Sequence, residues 1–288
     1  MPRCALVTGC SAGGIGSALV EELQAQGLRV YATARSPAKM NHLAKLPNVT
    51  LVTLDIVDPA SIAAAVNTVR QDLSLHGDSL DILINNAGQS LVYPALDTSI
   101  DEAKRLFDVN FWGVLAVTQA FMPLLQAAEN GSTLVNVCSI SGFLYAPWMS
   151  VYNASKAALM SWSETLRLEV EPFNIRVISL VTGSVATNVM SHSSLTLPEN
   201  SLYQKALPEI QTRGVGMDVS NKSAPADFAR EVVKDILGGA SGPVWRGAMA
   251  SMVKLMSKYM PTGILVSATV FFHFSFLFDM NRLLICAA

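Results

Sequence analysis

Charge is scarce in this chain. Only 15% of its 288 residues are Asp, Glu, Lys or Arg, while 51% are hydrophobic. An average soluble protein carries about 25% charged residues. The chain therefore either has a large core or touches something apolar. The 20 basic residues meet 22 acidic ones, for a net charge of −2, so no basic field exists for a nucleic-acid backbone to follow. Cysteine is scarce as well. Cys4, Cys10, Cys138 and Cys286 form no CxxC and lie too far apart for a local metal site. They read as reduced thiols in a cytosol-facing protein. The N-terminal MPRCALVTGC passes at once into an apolar run and a glycine. That leaves no room for a secretory leader, and the chain is expected not to be secreted. No internal repeat or low-complexity linker breaks the sequence.

What is present is a rhythm. Short apolar runs at 4–9, 28–35, 49–55, 80–88, 132–139 and 175–183 alternate with helical patterns at 15–26, 37–46, 58–75, 99–128 and 150–171. Strands alternating with helices imply parallel βαβ units. Near-continuous apolar strands fit a sheet covered on both faces. The predicted fold is α/β: one doubly wound, parallel-sheet Rossmann-type domain over residues 1–245. Within it, 188–224 is rich in Ser, Asn, Pro and Gly and reads as a mobile, variable excursion, followed by a helix at 225–237. Residues 246–288 form an apolar helical extension. It comprises an amphipathic stretch at 248–260 and a run at 261–278 without Asp, Glu, Lys or Arg. At 18 residues the run falls short of the roughly 20 that span a bilayer. It fits a helix closing a pocket or a shallow attachment to the cytosolic face of an intracellular membrane or lipid droplet. A spanning helix is the third possibility.

The turn Thr8-Gly9-Cys10-Ser11-Ala12-Gly13-Gly14-Ile15-Gly16 joins the first strand to the first helix. Glycines there let a backbone approach a pyrophosphate, and the helix N-terminus offers free N–H groups and the positive end of its dipole. The second strand ends at Ala34-Arg35-Ser36. An acid at this place would bind ribose hydroxyls. Here there is none, and Arg35 suits the extra phosphate of NADP, with Ser11 as a further hydroxyl. Asp55 ends the third strand, where an adenine would lie. Tyr152 and Lys156 stand at i and i+4, hence on one helix face. An ammonium beside a phenol favours phenolate and lowers its pKa from roughly 10. Ser139 ends the fifth strand, at the carboxyl edge where ligands collect.

Together these pieces resemble the short-chain dehydrogenase/reductase family. They are TGCSAGGIG (8–16), LDI (54–56), NNAG (85–88), the VNFWG segment with Asn110, Ser139, and Tyr152-Asn-Ala-Ser-Lys156, and they cover about residues 3–190 in the family's order. The resemblance implies a catalytic set of Asn110, Ser139, Tyr152 and Lys156. Tyr152 is the acid/base and Ser139 orients the substrate oxygen. Lys156 lowers the tyrosine pKa and holds the nicotinamide ribose, and Asn110 supports a proton relay. For the cofactor it implies Gly9, Ser11, Gly14, Ile15, Gly16, Arg35, Asp55, Asn86, Ala87, Gly88, Asn110, Tyr152, Lys156, Val185 and Thr187.

The glycine turn is one residue longer than the family's usual one, with Gly13 as the extra. Thr182-Gly183 replaces a frequent Pro-Gly. Within the family the chain is similar to fungal 1-acyldihydroxyacetone-phosphate reductases and to hydroxysteroid-dehydrogenase-like members. The resemblance thus implies NADPH/NADP+, no metal, and a small apolar carbonyl or alcohol substrate: an acyl-dihydroxyacetone phosphate, a steroid, or a polyketide or terpenoid intermediate. It leaves two oligomeric states open: a homodimer through the helices at 99–128 and 150–171, the family's usual dimer faces, or a membrane-bound monomer. The other reading is an inactive, membrane-associated scaffold or sensor that still binds NADP(H).

Overall fold

A computed structural model describes residues 3–187 and 195–266. Seven strands form one parallel sheet: β1 (Cys4–Thr8), β2 (Arg29–Ala34), β3 (Val49–Thr53), β4 (Leu80–Asn85), β5 (Ser132–Ser139), β6 (Ile175–Thr182) and β7 (Gly242–Arg246). Their order is β3-β2-β1-β4-β5-β6-β7. Every residue of β1 and β5 is buried, because helices cover both faces. On one side α1 (Ile15–Ala25) and α7 (Pro225–Leu237) bring Leu19, Leu23, Phe228 and Val232 onto the sheet. On the other, α2 (Pro59–His76) and α4 (Gly113–Gln126) bring Val66, Val69, Val117 and Phe121, and α5 (Ser150–Val170) lies alongside over β5 and β6. The N-terminus of α2 is set by Asp58, whose carboxylate accepts from the Ala60 N–H at 2.9 Å, with Pro59 in the first turn. The chain runs outward from β1 to β2 on one side and restarts at β4 on the other. A crevice therefore opens between the carboxyl ends of β1 and β4.

Four stretches differ from the sequence pattern. The stretch expected as one helix at 99–128 is divided into α3 (Ile100–Phe107), a π-helical turn at Asp108–Trp112, and α4. The turn buries Asn110 completely, and Gly113 passes so close to the Ile56 carbonyl that a Cβ would lie 2.9 Å from it. Only a short 3-10 turn, Pro37–Met40, forms in the expected helix at 37–46. Met40 and Leu43 are both drawn fully into the core there, while the residues around them stay at the surface.

β7 was not visible in the pattern. It is five residues long, begins Gly-Pro, and pairs only with β6, the edge position in which proline is tolerated. In the excursion, 195–224 is not all irregular. It contains α6 (Leu207–Gly214), anchored by the buried Ile210. Residues 188–194 lie outside the described part.

The chain after β7 returns to the sheet. Ala250, Val253 and Met256 of α8 (Ala250–Tyr259), with Leu265, pack against Ile140, Leu144 and Val181. Most of the apolar run at 261–278, from 267 onward, falls outside the described residues. Among those described, no helix is long and apolar enough to cross a membrane.

Candidate active site

The crevice is a cleft of about 480 Å³. Its floor begins at Gly9, whose φ of +75° belongs to the left-handed region and whose Cβ, if present, would stand 2.8 Å from Ala87 Cα. Two backbones thus touch where only glycine fits. Thr8 ties them together. Its hydroxyl accepts from the N–H groups of Asn86 (3.0 Å) and Ala87 (2.9 Å). Asn86 Nδ2 in turn donates to the carbonyls of Thr8 (2.8 Å) and Gly9 (3.1 Å). Gly16 lies directly under this amide, where a Cβ would be 2.5 Å from Asn86 Nδ2. Within the lengthened turn the Ala12 N–H donates to the Lys39 carbonyl at 3.0 Å and Gly13 takes a φ of +73°.

Gly9, Ser11, Gly14, Ile15, Arg35, Asp55, Asn86, Ala87 and Gly88 all line the cleft, as do Val185 and Thr187. Arg35 is exposed at the end of β2. The Asp55 carboxylate accepts from the Val57 N–H at 3.1 Å, within its own turn. Gly16 is the exception among the turn residues expected to bind the cofactor, since it supports the floor from behind instead of facing the cleft.

At the other end, Ser139, Tyr152 and Lys156 converge on the same cleft. Ser139 caps a short turn, accepting from the Ser141 N–H at 3.1 Å, and it lies beside Tyr152 in the cleft. Burial holds the Tyr152 phenol above its ordinary pKa, and the neighbouring Ser139 hydroxyl acts in the opposite direction. Burial likewise holds the Lys156 ammonium below its ordinary value. The i, i+4 spacing predicts an ammonium that lowers the tyrosine. In the structure Lys156 Nζ lines the same cleft as the phenol and donates to the Val137 carbonyl at 2.9 Å. Spacing alone does not say where a flexible four-carbon side chain points.

Asn110 does not line the cleft. Its amide is spent on holding the walls: Oδ1 accepts from the Gln89 N–H (2.8 Å), and Nδ2 donates to the Gln89 carbonyl (2.9 Å) and to Ser155 Oγ (3.1 Å). Ser155 passes the contact on to the Tyr152 carbonyl at 2.7 Å. The loop after β4 is thereby fixed to the first turns of α5.

Sequence reasoning missed several participants. Thr8, Gln89 and Ser155 carry the supporting hydrogen bonds. The only signal for Ser155 was a serine one residue before Lys156, on a buried face. Arg213, Asp218 and Lys222 line the substrate side, and no motif marks them. The buried Cys10 and Cys138 thiols are each pushed up to about 12 by burial, so neither supplies thiolate at neutral pH.

A parallel sheet whose switch-point crevice joins a glycine turn to a Ser-Tyr-Lys set defines a nucleotide-dependent oxidoreductase. The family model described as short chain dehydrogenase matches residues 3–197. Over 259 residues the chain is 40% identical to the short-chain dehydrogenase PC-15 of Penicillium crustosum, covering 90% of this chain and 93% of that one. It is also 40% identical over 203 residues to the NADPH-dependent 1-acyldihydroxyacetone phosphate reductase of Schizosaccharomyces pombe, covering 69% and 67%. The crystal structure of a short chain dehydrogenase from Burkholderia cenocepacia in complex with NADP superposes with a TM-score of 0.72 at 29% identity, over 91% of this chain and 95% of that one. The chain belongs to the short-chain dehydrogenase family.

Proposed function

We propose that the protein reduces a ketone on a bulky apolar substrate to a secondary alcohol, with NADPH as the reductant. The observation that carries this reading is the convergence of Ser139, Tyr152 and Lys156 on the cleft whose far end is the Gly9–Gly16 turn. The cleft fits a dinucleotide. Gly9 and Gly16 leave open a floor that a single Cβ at either position would disrupt, and the α1 N-terminus is available to phosphate. Arg35, at a lip with no neighbouring acid in Ala34-Arg35-Ser36, suits a 2′-phosphate. The S. pombe relative and the B. cenocepacia structure, by their descriptions, use or hold the phosphorylated cofactor, and the same cofactor is inferred here. When bound, NADPH supplies the hydride.

The chain's own residues do the rest. Ser139 holds the carbonyl oxygen, and Tyr152, kept protonated by burial, gives it a proton. Lys156 holds the nicotinamide ribose. Asn110, through Gln89 and Ser155, keeps the two walls in register.

An apolar substrate is supported by the cluster in which Val92, Ala146, Met149 and Ile210 are buried and Tyr152, Leu195, Leu197 and Tyr203 pack against them. Attachment to a lipid surface is supported by α8. Met252, Leu255 and Tyr259 form an exposed stripe on it, flanked by Lys254 and Lys258.

The deciding experiment is NADPH oxidation over a panel of acyl-dihydroxyacetone phosphates, steroid ketones and polyketide-type ketones, with Tyr152→Phe beside the wild type. Turnover is expected to vanish in the variant while NADPH affinity stays within about threefold. A variant keeping half the wild-type rate removes Tyr152 from the chemistry. A wild-type protein that binds NADPH but oxidises it with no ketone favours the scaffold.

A further inference from the structure

We propose that Arg213 is a positioning residue that clamps the segment covering the substrate side of the cleft onto the turn that carries Tyr152. The inference rests on the reductase reading for its consequence, and on geometry for its existence. Arg213 ends α6 and is only 3% exposed. Its guanidinium meets three partners at once. Nη1 donates to the Pro147 carbonyl at 3.2 Å, Nη2 pairs with Asp218 Oδ2 at 3.0 Å, and the group lies over the Trp148 ring, 5.8 Å from its centroid. Two of these belong to the turn before α5 and the third to the loop after α6. A planar fork with five donors can serve such a set simultaneously, whereas an ammonium on a single stem cannot.

The turn so held is not a relaxed one. Trp148 has a φ of +60°, a left-handed conformation uncommon outside glycine. Its carbonyl accepts from the Tyr93 N–H at 2.6 Å, which brings in the loop after β4. One residue on, the Met149 carbonyl accepts from the Asn153 N–H at 2.7 Å, in the first turn of α5, and the Asn153 amide donates back to Ala146 at 3.1 Å. Tyr152 sits between these anchors.

On the other side of the clamp, Val215, Gly216, Asp218, Val219 and Lys222 line the same cleft as Ala146 and Met149. Ala206 and Ile210 of the same segment are buried in the cluster against which Tyr152 packs. The wall and the seat of the phenol therefore share one anchor, Arg213.

The test combines hydrogen-exchange mass spectrometry of the full chain with steady-state kinetics on whichever panel ketone the wild type reduces. Asp218→Asn cuts the clamp on the wall side only. It is expected to speed exchange at 215–222, leave 145–153 as in the wild type, and raise KM more than it lowers kcat. Arg213→Met keeps the apolar stem and removes the fork. It is expected to speed exchange in both stretches and to lower kcat about tenfold with a raised KM, at unchanged NADPH affinity. Arg213→Lys is expected to fall between.

Wild-type exchange at 145–153 in Arg213→Met overturns the clamp. So does an equal acceleration in β1 and β4 with lost NADPH affinity, which marks a general structural role. Should Arg213→Met not fold, Arg213→Lys decides, and wild-type exchange at 145–153 there overturns the proposal. A wild type inactive on every ketone defeats the reductase reading instead, while the exchange arms still report on the clamp.

Discussion

Replacing Gly16 by alanine places a methyl group where the structure has no space for one. The added Cβ would lie 2.5 Å from Asn86 Nδ2 and 2.6 Å from the Gly9 carbonyl oxygen. Asn86 must move, and its bonds to the carbonyls of Thr8 (2.8 Å) and Gly9 (3.1 Å) move with it. Two neutral hydrogen bonds contribute about 1–3 kcal/mol together, and forcing a methyl into a packed site costs about 1–3 kcal/mol more. The expected loss is about 2–6 kcal/mol. For a domain of this size each kcal/mol shifts Tm by about 2 °C, so Tm should fall by about 4–12 °C. Gly263→Ala, where nothing lies within 4 Å, serves as the control and should leave Tm alone. The same displacement pulls the glycine turn from the 86–88 strand end, so NADPH should bind at least about tenfold more weakly, equivalent to about 1.4 kcal/mol. Thermal unfolding by circular dichroism and NADPH fluorescence titration read the two effects. A Gly16→Ala protein with the control's Tm and wild-type NADPH affinity would falsify the argument that Gly16 supports the cofactor floor.

Arg35→Ala should weaken NADPH binding by roughly 10- to 100-fold, the worth of a charge-assisted hydrogen bond, and leave NADH almost untouched. Equal losses for both would make Arg35 a structural residue. Ketone reduction uses the protonated phenol of Tyr152, so kcat should hold at low pH and fall as pH rises through the phenol's pKa. Ser139 lowers that pKa; Ser139→Ala should therefore move the fall to higher pH while reducing the plateau, and a fall that stays put or moves down refutes the role given to Ser139. Replacing the exposed Met252, Leu255 and Tyr259 of α8 by serine should shift the protein from the membrane pellet to the supernatant with NADPH binding retained. A full-length protein already in the supernatant without detergent argues against the lipid-surface reading.

Local chemistry made much of this protein legible in its sequence. Of the six strands that were anticipated, all but the edge strand β3 are short apolar runs largely buried on both faces, and such runs announce themselves by composition. The glycine turn, the acid-free end of β2, and Tyr152 with Lys156 one helical turn apart are contacts among near neighbours in the chain, so spacing alone groups them. β7 was hidden because its five residues begin Gly-Pro and take their place only by pairing with β6.

The rest was decided by side chains that meet from distant parts of the chain. Asn110 finds Gln89 and Ser155, which lie 21 and 45 residues away. Arg213 finds Pro147 across 66. The π turn at Asp108–Trp112, which breaks the long helix, holds Asn110 in this packing. The protonation of Tyr152 is of the same kind. A pattern shows that a lysine is near, but burial and the choice of Val137 as its partner exist only once the sheet and α5 have closed around both groups. The sequence by itself thus determined the layers and the reacting groups, because these depend on periodicity and on neighbours. Tertiary structure alone decided how those groups are aimed, supported and charged, because desolvation and long-range hydrogen bonds depend on which surfaces the fold brings together.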